Sequence, residues 1–131
     1  MPTVDPKLVL RVAMAAFLAI LFLQSGLDKV TDRKGNLDWL TGHFAKSPLA
    51  GLVPLLLGVI TLLELAAGGL CLAGGFQLLF GGTTLALWGA ILSVASIVCL
   101  FFGQRVAKDY AGATGLVPYF LTAMLGVWLF G

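Results

Sequence analysis

The sequence predicts an all-α integral membrane protein, a four-helix bundle with short turns and one longer interfacial loop, in a single transmembrane domain over residues 1–131. Three observations carry this. Of the 131 residues, 60% are hydrophobic and 11% charged, against roughly 45–50% and about 25% in an ordinary soluble domain. The mean hydropathy is +1.03. The apolar residues also gather into four runs, each near the roughly 20 residues a helix needs to cross a 30 Å hydrocarbon core. These residues leave no room for a separate extramembrane catalytic domain. The net charge of +2, with its eight basic residues spread over short connections, lacks the continuous basic surface of a nucleic-acid-binding protein.

The first span runs from Leu8 to Leu27 after Pro6 and Lys7, interrupted only by Arg11, Gln24 and Ser25. It is longer than the apolar core of a signal peptide and lacks an Ala-x-Ala-like cleavage site, so it reads as a retained helix. The second, Leu49 to Ala73, opens after Pro48, is expected to kink at Pro54, and holds one ionisable residue, Glu64. The third, Leu78 to Phe102, carries no charge and places Trp88 at mid-membrane. The fourth runs from Thr114 to Phe130, with Pro118 near its start. Gly74, Gly75, Phe76 and Gln77 are read as a tight turn joining the second and third helices as antiparallel neighbours.

Two connections hold most of the charge: Asp28 to Ser47, with Lys29, Arg33, Lys34 and Lys46, and Gly103 to Ala113, with Arg105 and Lys108. The positive-inside rule places both in the cytoplasm and both termini outside. Asn36 is the expected cap of a short interfacial helix bearing Leu37, Leu40 and Phe44 on one side, with an irregular loop anchored by Trp39 and Phe44 as the alternative. Gly26, Asp32 and Gly35 recur as Gly103, Asp109 and Gly112 at the same offsets, a weak trace of duplication.

An ionisable residue as deep as Glu64 costs several kcal/mol unless paired or protonated, so it must face the bundle interior. Arg11 is the only cation inside a span. Counting from the span ends puts the two backbones roughly 9 Å apart in depth, and the expected intramembrane polar site is Arg11 with Glu64. It is either a register-fixing ion pair or a working site for a proton, quinone or solute. Lys29 is expected to reach lipid headgroups or to close a polar site with the second cluster, Gln104, Arg105, Asp109 and Tyr110, in which Arg105 and Asp109 stand at i, i+4. Cys71 and Cys99 fall roughly a bilayer apart, too far for a disulfide. With His43 as the only histidine, no metal site or two-histidine haem site can be closed within this chain.

Arg11, then Phe22-Leu23-Gln24-Ser25-Gly26-Leu27-Asp28-Lys29-Val30, then Glu64-Leu65-Ala66-Ala67-Gly68-Gly69-Leu70 resembles the DoxX-like family of small four-helix membrane proteins in order and spacing. Arg11, Gly26, Lys29, Glu64 and Gly68 take the places of that family's recurring residues. The segments Lys108-Asp109-Tyr110-Ala111-Gly112 and Val117-Pro118-Tyr119-Phe120 look like a subset of it. The chain departs from the family where a basic residue often precedes the third helix, having Gly74-Gly75-Phe76-Gln77 there.

The resemblance implies an inner-membrane accessory subunit of a quinone-linked or oxidative-stress redox system, with no cofactor bound by this chain alone and quinone as the candidate ligand. The partners implied are membrane lipids, redox subunits or further copies of the chain. Two alternatives stand beside it: a quinone-binding oxidoreductase component using Glu64 and Arg11, and a proton or small-solute transporter, which would need an oligomer because four helices leave little room for a path.

Overall fold

Asp5 opens the first helix by accepting a hydrogen bond from the Lys7 backbone N–H at 3.0 Å, with Pro6 in the first turn where its missing N–H is harmless. The computed structural model describes residues 4–131. They form α1 (Pro6–Thr31), α2 (Arg33–His43), a single 3₁₀ turn (Ala50–Leu52), α3 (Val53–Leu78), α4 (Thr84–Val106), α5 (Tyr110–Gly115) and α6 (Val117–Phe130). Four stretches are long and apolar enough to cross a membrane: α1, the 3₁₀ turn with α3, α4, and α5 with α6. The protein is an all-α four-helix membrane bundle. Its outward surface is apolar, with Ile20, Leu62 and Trp128 among the exposed side chains, as lipid contact requires.

α1 packs on α3 and α6, and α4 packs on α3 and α6, closing a ring of four antiparallel neighbours. Ala15, Leu18 and Phe22 of α1, Ala67 and Cys71 of α3, Ala86, Ala90 and Ile97 of α4, and Ala123 and Phe130 of α6 fill the centre. One end, the terminal face, carries both chain ends and the 79–83 turn. The other, the loop face, carries α2 and the 107–109 reversal.

The helices outrun the apolar runs that announce them. A backbone hydrogen-bond ladder continues through polar residues, so α1 includes Asp28 to Thr31 and α3 reaches Leu78. The chain therefore turns at residues 79–83, where Gly81 takes φ +91°, and not at Gly74–Gln77. Gly74 is instead a packing position: a Cβ there would strike the backbone of Ala86. Pro54 does not kink a helix but sits in the first turn of α3. Pro118 does mark a break, because without its N–H the last span divides at Leu116 into α5 and α6. Trp88 lies in the second turn of α4, half exposed and nearer the terminal face than mid-membrane.

Close approaches set the register. Gly26 faces Leu65 and Gly68 faces Leu23, while Gly74 faces Ala86 and Gly89 faces Cys71. On α1 and α3 this puts Thr31 level with about residue 60, so the first turns of α3 project ~10 Å beyond the end of α1. α2 folds back into that step and touches both helices. Cys71 lies level with Gly89, about ten residues or ~15 Å short of Cys99. That is half the separation expected from sequence, and still beyond disulfide reach.

The cap of α2 is Asp32, one turn before the expected Asn36, whose side-chain amide donates to the Asp32 carbonyl at 2.8 Å from inside the helix. The apparent duplication has a local cause. Asp32 accepts from the Gly35 N–H at 3.3 Å and Asp109 from the Gly112 N–H at 2.9 Å. Each Asp-x-x-Gly caps a helix, and the glycine leaves room for the capping carboxylate.

Candidate functional site

Lys29 and Glu64 form a buried ion pair at the α1–α3 contact. Lys29 Nζ lies 2.9 Å from Glu64 Oε1, with the lysine side chain 16% exposed and the glutamate 1%. The same ammonium donates to Ser25 Oγ at 2.8 Å and approaches the Ser25 carbonyl at 3.5 Å. Helix side chains lean toward the N-terminus, so a lysine two residues from the end of α1 is aimed down the helix, past Ser25 and into the bundle. Lys29 therefore does not snorkel outward to headgroups.

Glu64 is the underprovided partner. Lys29 at 2.9 Å is its one partner, and Oε1, wholly buried, meets no other donor among the described residues. The nearest hydroxyl on its own helix, Thr61, donates instead to the Leu57 carbonyl at 2.6 Å. The carboxylate is held by the Lys29 ammonium and keeps acceptor capacity for a further donor.

Arg11 does not share this site. Its Nε donates to the Leu129 carbonyl at 2.8 Å, at the C-terminal end of α6, where carbonyls lack intrahelical partners and the dipole favours a cation. By the α1–α3 register Arg11 stands level with about residue 80, some ~24 Å from Glu64 along the bundle. The expected Arg11–Glu64 pair fails because α3 continues five residues past Ala73, because Arg11 stands level with the turn beyond the end of α3, and because Leu129 offers Arg11 a local acceptor.

The second cluster forms around a residue the sequence marked only as a lone histidine. His43, at the end of α2, donates from Nε2 to Gln104 Oε1 at 2.8 Å and stands 3.6 Å from Asp109 Oδ2. Trp39 stacks on its ring at 4.6 Å and Phe44 meets the ring edge at 5.1 Å. Arg105 does not pair with Asp109. α4 ends at Val106 and Lys108 takes φ 61°, so the i, i+4 geometry is lost, and Arg105 lies over the Tyr110 ring at 4.5 Å. Lys29 belongs to the Glu64 site and not to this cluster.

Gln104, Asp109 and His43 thus clasp α2 to the end of α4. His43→Ala is expected to raise amide exchange across α2 about ten-fold, the equivalent of ~1.4 kcal/mol, while α1 and α3 keep their protection. Equal loss of protection throughout the bundle would show that His43 supports the whole fold. No helical period could have found this contact, because its partners lie 61 residues apart.

No protein-family model, curated protein or solved structure matches this chain. Among the described residues, no group of three or more His, Cys, Asp or Glu side chains is placed to hold a metal ion. Cys71 is buried and Cys99 exposed, both as free thiols.

Proposed function

We propose that this chain is a DoxX-like inner-membrane protein serving a quinone-linked or oxidative-stress redox system as an accessory subunit, with no redox centre of its own. The observation that carries the reading is convergence. Gly26, Lys29, Glu64 and Gly68, four of the residues on which the resemblance rests, meet at a single helix contact, where the glycines bring α1 and α3 together around the ion pair. A motif split between two helices makes physical sense as one structural unit. Arg11, the fifth, serves the end of α6. In the orientation favoured by the positive-inside rule, the loop face with α2 is cytoplasmic and both termini are outside.

One feature favours a second reading. The spare acceptor capacity of Glu64 suits a hydroxylic ligand such as a quinol, and in that case Lys29, not Arg11, is the cation that controls the carboxylate.

Purification from native membranes in mild detergent separates the two, using mass spectrometry of co-purifying proteins, an absorbance scan and a lipid extract. A stoichiometric redox subunit is the expected result. A lone protein carrying quinone, lost in Glu64→Gln with the fold intact, moves the function to the Lys29–Glu64 site. A lone protein carrying neither overturns both readings.

A further inference from the structure

The step between α1 and α3 leaves an open groove of about 450 Å³ on the outer flank of α3, within the range of small-molecule sites. It is lined by Pro54, Leu55, Gly58 and Leu62 of α3 together with Arg33 of α2. Leu55 and Leu62 are strongly exposed.

Two features shape this groove. Gly58 lies inside a membrane helix, and a Cβ there, as at Gly69, would meet nothing within 4 Å, whereas Gly68, Gly74 and Gly89 are required by neighbouring helices. Helix packing does not account for this glycine, and its effect is to deepen the groove. Arg33 in turn has no acidic partner among the described residues, where the ion pairs are Lys29–Glu64 and His43–Asp109. A guanidinium at the membrane boundary, unpaired and beside an open apolar groove, complements an anion that carries a hydrocarbon tail.

We infer that this groove binds an anionic phospholipid, with one acyl chain laid over Gly58 between Leu55 and Leu62 and the phosphate held by Arg33. The inference is independent of the redox reading, since it uses neither Glu64 nor Lys29. The phosphate accepts hydrogen bonds from the guanidinium fork, and the chain covers apolar surface on the first turns of α3 that α1, ending at Thr31, leaves bare.

The test is native mass spectrometry of the full chain in mild detergent, titrated with phosphatidylglycerol and phosphatidylcholine of identical acyl chains. The wild type is expected to retain the anionic lipid about five-fold more strongly, in line with ~1 kcal/mol per basic side chain at the membrane surface. Arg33→Gln should abolish that preference while leaving phosphatidylcholine retention unchanged, Lys34→Gln should leave it intact, and Gly58→Leu should reduce retention of both lipids. Equal retention by the wild type overturns the proposal. So does a loss in Lys34→Gln as large as in Arg33→Gln, which would mark a diffuse basic surface. A dimer that Gly58→Leu dissolves without affecting lipid retention also overturns it, since a second copy would then fill the groove.

Discussion

Lys29→Ala is expected to destabilise the bundle by about 3–5 kcal/mol, the usual result of removing one partner from a buried charge pair. The cost comes from what remains. Glu64 is 1% exposed and no donor other than Lys29 reaches it among the described residues, so without the ammonium its charge is left uncompensated in an apolar site. The reverse substitution is milder. In Glu64→Leu the lysine keeps its bond to Ser25 Oγ, and being near the end of α1 it can swing toward the interface, so about 1–2 kcal/mol is expected. Replacing both, as Lys29→Met with Glu64→Leu, should return the protein to within ~1 kcal/mol of the wild type, because no uncompensated charge is left. Unfolding in mixed micelles by increasing fractions of anionic detergent measures all three. A double variant as unstable as Lys29→Ala, or a Glu64→Leu variant as unstable as that single one, would remove the ion pair as the stabilising unit.

The architecture was legible because membrane burial writes itself into composition: runs of about 20 apolar residues have few other uses. The interior was less legible, and for specific reasons. The depth of Glu64 depends on where its helix ends. A Gly-Gly pair looks the same whether it makes a turn, as Gly81 and Gly82 do, or admits a neighbouring helix, as Gly74 does. A helix that ends at the earlier pair places Glu64 nearer the depth of Arg11. The elements of the correct pairing were nonetheless in the sequence: Gly26 and Gly68 admit Leu65 and Leu23 of the opposing helix, and that register brings Lys29 within reach of Glu64. Arg11 and His43 were beyond this kind of reasoning, because Leu129 and Gln104 approach them only through the closure of the whole ring.

The glycines of α3 supply the second large effect, because two positions of the same residue type should respond with opposite signs. At Gly74 a Cβ would collide with the backbone N and Cα of Ala86, and backbone atoms cannot move aside without separating α3 from α4. Gly74→Ala is therefore expected to cost about 1–3 kcal/mol, and Gly74→Val more, as overpacking does in close-packed interiors. Gly69 is five residues earlier on the same helix, and nothing lies within 4 Å of its would-be Cβ. There alanine removes backbone freedom from the unfolded chain and improves helix propensity, so Gly69→Ala should stabilise by about 0.5–1 kcal/mol. The comparison controls for composition, since both variants gain the same methyl group in the same helix. Thermal unfolding in one detergent reads it directly: Gly74→Ala must melt below the wild type and Gly69→Ala at or above it. If both fall equally, helix flexibility and not close approach is what α3 requires of its glycines, and the α3–α4 contact at Ala86 is looser than the structure shows.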